Sequence, residues 1–197
     1  ESTNPPNNNI TTNNTVNTNN RHGIYLDHSF NNTITDNTAN SNRYGIHLDE
    51  SRNNTITNNT VNSNDQFGIH LRSNSNDNTL INNTANSNRY GIYLSSYSNG
   101  NTITYNTANS NNFYGIYLDS SDNNILTHNT ANSNRYGSYL VYSSNNTLTN
   151  NIANSNGDGI YLGYSNNNKL TNNNASNNVH RGILLRNSNN NTLTNNT

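Results

Sequence analysis

The sequence predicts an all-β solenoid in which short parallel strands stack coil upon coil around a narrow apolar core. The first observation is a fixed period, because a glycine that opens a Gly-Ile-Tyr-Leu-like segment recurs every 22 to 24 residues, at Gly23, Gly45, Gly68, Gly91, Gly115, Gly137, Gly159 and Gly182. The second is that each repeat holds its few aliphatic residues at fixed places. Stacking collects these residues into one core that no single repeat could form.

Each repeat contains two segments with the character of a strand. The first is a Thr-Ile-Thr-like triplet with one central aliphatic residue, at Ile34, Ile56, Leu80, Ile103, Leu126, Leu148, Leu170 and Leu193. The second carries an aliphatic pair two residues apart, such as Ile92 and Leu94. Because successive strand side chains point to opposite faces, these aliphatic residues point inward and their neighbours outward. No segment has the 3.6-residue period of a helix.

Asparagine fills two columns of the repeat without exception. The first is Asn32, Asn54, Asn78, Asn101, Asn124, Asn146 and Asn168, and the second is Asn37, Asn59, Asn83, Asn106, Asn129, Asn151 and Asn173. Stacked amides both donate and accept, so we expect them to form ladders along the axis. Asparagine also tolerates left-handed backbone, so we expect these residues to form the corners.

The repeat sets the domain organisation. Residues 1–9 are polar, contain Pro5 and Pro6, and are predicted to be a leader or linker. Residues 10–197 are predicted to form one repeat domain of about eight coils. The chain takes up and leaves the pattern within a repeat, which predicts either a fragment of a longer array or an end-to-end contact that builds filaments.

Composition limits the classes of function that this chain can have. Only 27% of residues are hydrophobic and 10% are charged, a balance typical of disorder, but the period favours a folded rod. The net charge of −1 argues against a nucleic-acid or anionic-membrane partner. No apolar run is long enough for a membrane span. There is no cysteine, so thiolate metal sites and disulfides are excluded, and no cofactor is predicted.

The repeat text Asn-Asn-Thr-Ile-Thr-Asn-Asn-Thr, followed by Gly-Ile-Tyr-Leu, resembles NosD-type repeat proteins of the carbohydrate-binding and sugar-hydrolase β-helix group. It is also similar to repeats in surface proteins of methanogenic archaea. The resemblance covers nearly the whole chain and implies a right-handed, single-stranded parallel β-helix at an extracellular or cell-surface location. The copper-delivery role associated with the family name has no support in the sequence, since Cys and Met are absent and His is scattered.

Outward aromatic residues form the first candidate site. The residue between each inward pair is Tyr25, His47, His70, Tyr93, Tyr117, Tyr139 or Tyr161. A second column precedes the glycines, at His22, Tyr44, Phe67, Tyr90, Tyr114 and Tyr136. Such rows offer sugar rings an apolar surface with polar tips. The alternative is that the rings only stabilise neighbouring strands.

Three further patterns are weaker candidates. His47 and His70 should lie about 4.8 Å apart along the axis, with Asp49 two residues from His47 on the same face. Two imidazoles without a third convergent ligand usually do not bind a metal ion, so no metal site is predicted. Asp27 and Asp49 have the carboxylate spacing of a retaining glycosidase, as do any neighbouring repeats of a solenoid. An active site needs a break in the repetition, and this chain hardly breaks it, so we expect no enzyme.

Outward threonines flank the central aliphatic residue of the first strand. These ranks resemble the faces of β-solenoid ice-binding proteins, and their most regular members are Thr33, Thr35, Thr55, Thr57, Thr102, Thr104, Thr147 and Thr149. Ile81, Ile125 and Lys169 interrupt the array. The alternative explanation is the preference of threonine for exposed strand positions.

The sequence therefore predicts a non-enzymatic, extracellular or cell-surface structural solenoid. Its partners would be other copies of the chain, through end-to-end contacts, or envelope components. The first alternative is a polysaccharide-binding module that uses the tyrosine column, and the second is an ice-binding protein that uses the threonine ranks.

Overall fold

The computed structural model describes residues 7–197, which form one stack of parallel coils. Each coil contributes one short and one longer strand. The short strands are Ile10–Thr12 (β1), Thr33–Thr35 (β3), Thr55–Thr57 (β5), Thr79–Ile81 (β7), Thr102–Thr104 (β9), Ile125–Thr127 (β11), Thr147–Thr149 (β13), Lys169–Thr171 (β15) and Thr192–Thr194 (β17). The longer strands are His22–Asp27 (β2), Tyr44–Asp49 (β4), Phe67–Arg72 (β6), Tyr90–Leu94 (β8), Tyr114–Asp119 (β10), Tyr136–Val141 (β12), Asp158–Gly163 (β14) and Arg181–Arg186 (β16).

The strands form two parallel sheets on different sides of the rod. The short strands make a nine-stranded sheet in the order β1-β3-β5-β7-β9-β11-β13-β15-β17, and the longer strands make an eight-stranded sheet from β2 to β16. A third line of isolated parallel bridges, such as Thr38 to Thr60, joins the coils between the sheets. Equivalent residues pair in register, for example Ile34 with Ile56. The predicted all-β solenoid of about eight coils is confirmed, and the described residues contain no helix.

The core is the predicted set of inward aliphatic residues. Ile46, Leu48, Ile56 and Val61 are fully buried, and the same positions stay buried as far as Ala175, whereas in the last coil Ile183 and Leu185 are partly buried and Leu193 is exposed. Serine replaces isoleucine at one inward position, where Ser138 is 2% exposed and pairs with Ile116 and Ile160 of the neighbouring coils. Because the other inward positions are apolar, the hydrophobic column continues along the axis on both sides of Ser138.

The recurring glycines are required because the chain folds tightly on itself at the start of each longer strand. A Cβ atom added to Gly91 would lie 2.6 Å from the Gly115 carbonyl oxygen, 2.8 Å from Asn111 Nδ2 and 2.9 Å from Ala108 Cβ. No other residue fits so close an approach of backbone and side chains. The fixed glycine period of the sequence is thus a packing requirement of the coil.

The asparagine columns form the predicted ladders inside the coil corners. The Asn106 backbone N–H and Nδ2 both donate to Asn129 Oδ1, at 2.9 and 3.1 Å. Nδ2 also donates to the carbonyl oxygens of Leu80, at 2.9 Å, and Thr104, at 3.0 Å. The Asn106 amide therefore satisfies backbone groups of its own coil and of the preceding coil, and it donates to the side-chain amide of the following coil.

The left-handed corner residues are not the ladder asparagines, as the sequence had suggested, but the residues immediately before them. Asn31 and Asn53 have φ of 56° and 57°, and Asp36 and Asn58 both have φ of 56°. The prediction was wrong by one position because the ladder amide must point inward, whereas the corner itself is made by the preceding residue.

Part of the predicted leader, residues 1–9, lies outside the described residues. In the described part of the leader, residues 7–9, the Asn7 N–H donates to the Phe30 carbonyl oxygen at 3.1 Å, and the Asn9 N–H donates to Asn32 Oδ1 at 2.9 Å. Among the described residues, no helix has the length and apolar character needed to cross a membrane.

Candidate functional site

Both aromatic columns lie on the outer side of the eight-stranded sheet, and we call this surface the aromatic face. The glycine between them interrupts the strict alternation of the strand, so residues three apart, such as Tyr44 and His47, point the same way. Their ring centroids are 5.3 Å apart. The face consists of His22, Tyr44, Phe67, Tyr90, Tyr114 and Tyr136 in one column and Tyr25, His47, His70, Tyr93, Tyr117, Tyr139 and Tyr161 in the other.

The rings stack on one another from coil to coil. The centroids of Tyr93 and Tyr117 are 4.6 Å apart with an interplanar angle of 15°, and those of Tyr139 and Tyr161 are 4.5 Å apart at 14°. Between these pairs Tyr117 meets Tyr139 edge to face, at 71°. The ring faces that the sequence suggested as a platform for sugars are therefore covered by neighbouring rings. What the surface offers is a row of ring edges and phenol hydroxyls.

Burial keeps these phenols protonated. The pKa of Tyr93 is raised to about 12, mainly by burial and secondly by the nearby Asp119 carboxylate. Burial also raises the pKa values of Tyr117 and Tyr139 above the ordinary value of 10. A protonated phenol both donates and accepts a hydrogen bond, which is the chemistry that a sugar hydroxyl requires.

The histidines of the face are buried between neighbouring rings, although their position in the strand is an outward one. His47 and His70 are 7% and 6% exposed, and their centroids are 4.8 Å apart, the spacing predicted from the coil repeat. His47 Nδ1 lies 3.1 Å from His22 Nε2, and His70 Nε2 lies 3.0 Å from Ser95 Oγ. Burial lowers the pKa of His47 to about 4 and that of His70 well below 6.5.

The carboxylates suggested as a glycosidase pair are occupied by other contacts. Asp27 and Asp49 are neighbours in register. Asp27 Oδ1 contacts His28 Nδ1 at 2.7 Å, while Asp49 Oδ2 lies 3.6 Å from Arg72 Nη1. Asp119, at the equivalent position of a later coil, is paired in register with Val141 rather than with another acid. Each carboxylate thus has its own surroundings, and the three do not converge.

A cleft that the sequence reading missed lies at the far end of the aromatic face. It has a volume of about 500 Å³ and is lined by Tyr136, Tyr139, Asp158, Tyr161, Arg181, Leu184, Leu185 and Arg186. Asp158 occupies the place of an aromatic residue, in register with Tyr136, and is only 5% exposed. Its Oδ1 lies 3.6 Å from Arg181 Nη1 and makes no hydrogen bond.

Gly163 opens space beside this cleft. A Cβ atom at this position would lie 2.8 Å from Cε1 of Tyr161, so the absence of a side chain lets the Tyr161 ring lie across the strand. The equivalent residue in the preceding strand is Val141. The signal that could have revealed the cleft was in the sequence, where Asp158, Arg181 and Leu184 replace rings of the aromatic columns in two adjacent strands.

The threonine ranks lie on the separate nine-stranded sheet. Thr33, Thr35, Thr55 and Thr57 are partly exposed, as are Thr102, Thr104, Thr147 and Thr149. Ile81, Ile125 and Lys169 interrupt the ranks as read from the sequence. Ice binding by this sheet stays a prediction, which a thermal-hysteresis measurement on the protein and on Thr104→Tyr would test.

A protein-family model described as periplasmic copper-binding protein (NosD) matches this chain over residues 2–89 and 73–197. The chain belongs to the NosD family. The resemblance noted in the repeat text is therefore confirmed, including the right-handed parallel β-helix. No curated protein sequence matches the chain significantly.

The side chains present do not fit the copper ion of the family description. The described residues contain no group of three or more His, Cys, Asp or Glu side chains able to hold a metal ion. The histidine nitrogens also fail to converge, since His22 and His47 face each other directly and the rings of His47 and His70 stack at 17°. Lone pairs in the planes of stacked rings point alongside one another rather than to a common point.

Solved structures with a similar fold include two epimerases and a bacteriophage tailspike domain. The periplasmic alginate epimerase AlgG superposes with a TM-score of 0.83 at 24% identity, covering 89% of this chain and 47% of that one. The Azotobacter vinelandii mannuronan C-5 epimerase AlgE4 A-module gives 0.74 at 16%, covering 88% and 59%. The enzymatically active domain of bacteriophage CBA120 tailspike protein 2 gives 0.81 at 12%, covering 90% and 33%.

These structures correct the prediction of a non-enzymatic structural solenoid. The same coil architecture is that of two epimerases and of a domain described as enzymatically active. The argument that regular coils exclude an enzyme was therefore wrong, and the carbohydrate alternative agrees better with the findings. At these identities the likeness shows the fold, and the chain spans about half or less of the length of AlgG and the tailspike domain.

Proposed function

We propose that this protein binds a polysaccharide along the aromatic face, outside the cytoplasm. The observation that carries the proposal is the unbroken aromatic row from Tyr25 to Tyr161, one side chain per coil over seven coils. At about 4.8 Å per coil the row is about 29 Å long. A site of that length and regularity suits a polymer that lies along the rod better than a single small molecule.

The chemistry of the row also suits sugars. Tyrosine presents an apolar edge and a polar tip, and sugars have apolar C–H surfaces bordered by hydroxyls. The raised pKa values of Tyr93, Tyr117 and Tyr139 keep these phenols available as donors at neutral and moderately alkaline pH. The periplasmic location in the descriptions of NosD and AlgG, and the polysaccharide named for AlgG, support the same proposal.

Isothermal titration calorimetry with a panel of soluble polysaccharides tests this function. Tyr117→Ala should weaken binding of a polysaccharide that binds the unmodified protein by about tenfold, which corresponds to about 1.4 kcal/mol. Tyr117→Phe keeps the stack and removes only the hydroxyl, so it separates hydrogen bonding from packing. Tyr105→Ala is the matched control, because Tyr105 is an exposed tyrosine that stacks on His128 away from the aromatic face.

The proposal fails if no polysaccharide of the panel binds. It also fails if Tyr105→Ala weakens binding as much as Tyr117→Ala does, since the contact would then lie elsewhere on the rod.

The cleft favours a second candidate, modification of the bound polysaccharide at Asp158. This carboxylate is nearly buried and lies in the cleft among Tyr136, Tyr139 and Tyr161. Its Oδ1 makes no hydrogen bond and is paired with Arg181 at 3.6 Å. A carboxylate and phenols within one cleft are groups able to accept and donate protons to a sugar. Incubation with a bound polysaccharide, followed by NMR of the product, would detect cleavage or epimerisation, and Asp158→Asn should abolish either.

A further inference from the structure

A row of arginines borders the aromatic face on one side. Arg21, Arg43, Arg89 and Arg135 occupy the same position of the repeat, immediately before the first aromatic column, and all four are exposed. Arg43, Arg89 and Arg135 lie two coils apart from one another, so one guanidinium recurs at about every 10 Å along the axis. We call these four residues the arginine edge.

Aromatic rings hold three of these four guanidiniums in place. The Arg43 guanidinium carbon lies 5.3 Å from the centroid of Tyr44, and that of Arg135 lies 5.7 Å from Tyr136. Arg89 lies between two rings, 5.5 Å from Tyr90 and 5.2 Å from Phe113. Cation–π contacts orient the cations beside the phenol row and leave their N–H donors available.

The arginine edge has no carboxylate partner in the described part of the chain, where the only arginines in ion pairs are Arg72 and Arg181. Two acids lie near the arginine edge, but Asp158 pairs with Arg181 and the exposed Asp65 makes no ion pair with an arginine. The other acids of the face, Asp27, Asp49 and Asp119, lie at the opposite end of the longer strands. Six residues of strand separate the two edges by about 20 Å. That distance exceeds the Debye length of about 8 Å at physiological salt, so these three acids do not neutralise the arginines.

We propose that the arginine edge binds the anionic groups of an acidic polysaccharide, carboxylate or sulfate, that lies along the aromatic face. This inference rests on the proposed function and specifies its ligand class. Guanidinium recognises carboxylate and sulfate oxygens through paired N–H donors. The opposite edge, with its carboxylates, repels anionic groups and accepts hydrogen bonds from sugar hydroxyls. The two edges thus orient the chain, with its anionic groups towards the arginines.

The same surface is poorly suited to a single-stranded nucleic acid. Such ligands stack their bases on exposed aromatic faces and need a groove of positive charge. Here the faces are covered by neighbouring rings, and one edge of the surface is acidic. The net charge of the whole chain is −1.

The test compares an oligogalacturonate with its methyl ester, which has the same backbone and no charge. Calorimetry at low salt should show the acid binding at least about tenfold more tightly than the ester, because several charge pairs are lost together. The difference should shrink as salt rises. Dextran sulfate beside uncharged dextran forms the second arm and distinguishes sulfate from carboxylate recognition.

The variant carries Arg43→Gln, Arg89→Gln and Arg135→Gln and should bind the acid no better than the ester. Its matched control carries Arg52→Gln and Lys169→Gln, two cations outside the arginine edge, and should keep the full preference. A merely structural role of the three arginines would lower the melting temperature without changing the ratio of the two affinities. Both quantities are therefore measured on each protein.

Equal affinity for charged and uncharged forms in both arms would overturn this inference and leave polysaccharide binding intact. Binding of none of the four probes, nor of any polysaccharide of the panel, would overturn the proposed function itself. Tighter binding of a single-stranded RNA than of every glycan would overturn the ligand class.

Discussion

The buried histidines link the stability of the fold to pH. Burial lowers the pKa of His47 from 6.5 to about 4 in the folded protein. As the pH falls below 6.5, His47 is protonated in the unfolded chain but stays neutral in the folded chain, so the free energy of unfolding falls. The loss grows until the pH reaches about 4, below which the His47 contribution is constant.

The magnitude follows from the change in pKa. At about 1.4 kcal/mol per unit of pKa, His47 alone removes about 2 kcal/mol by pH 5 and about 3 kcal/mol near pH 4. His70 acts in the same direction, because burial and the neighbouring His47 also lower its pKa. The pKa of His22 is lowered by burial and by the charges of Arg21 and Arg43, so His22 adds to the effect.

Urea unfolding followed by circular dichroism between pH 7.5 and pH 4 measures this dependence. The matched variant carries His47→Tyr and His70→Tyr, which place in these coils the residue that Tyr25 and Tyr93 supply in their neighbours. It keeps every carboxylate and His28, so the difference between the two proteins isolates the two imidazoles. Equal slopes of stability against pH in the two proteins would refute the reasoning.

Two further predictions concern the core and the ladders. Ser138→Ile should raise the free energy of unfolding by about 1–2 kcal/mol, because Ser138 is buried in register between Ile116 and Ile160, and a lower melting temperature would contradict this. Asn106→Ala should lower it by about 2–4 kcal/mol in urea unfolding, because the carbonyls of Leu80 and Thr104 lose their donor, whereas a loss below about 0.5 kcal/mol would show that the ladder adds no stability.

The fold could be predicted from the sequence because the repetition shows which side chains point inward and which point outward. A residue such as Ile103 that stays aliphatic in every coil must point inward, and its neighbours must point outward. The glycine and asparagine columns are equally regular because each satisfies the same contact in every coil. Strand register follows at once, since identical positions pair.

Burial on the outer side of the sheet could not be predicted in the same way. His47 lies at an outward position, yet it is buried because His22, Tyr44 and His70 surround it from its own and the neighbouring coils. The direction in which a side chain points follows from its own strand. Its exposure depends on the size and tilt of the neighbouring rings in both aromatic columns. The covered ring faces and the lowered histidine pKa values both follow from that packing.

The candidate site illustrates the same difference. The premise that this chain hardly breaks its repetition was wrong. In the aromatic columns, Asp158, Arg181 and Leu184 all replace a ring, and they fall in two adjacent strands, β14 and β16. Stacking at about 4.8 Å brings these departures together, whereas breaks scattered among distant coils would stay apart. In a solenoid, the coils in which several exceptions coincide are therefore where a site should be sought, however regular the remainder is.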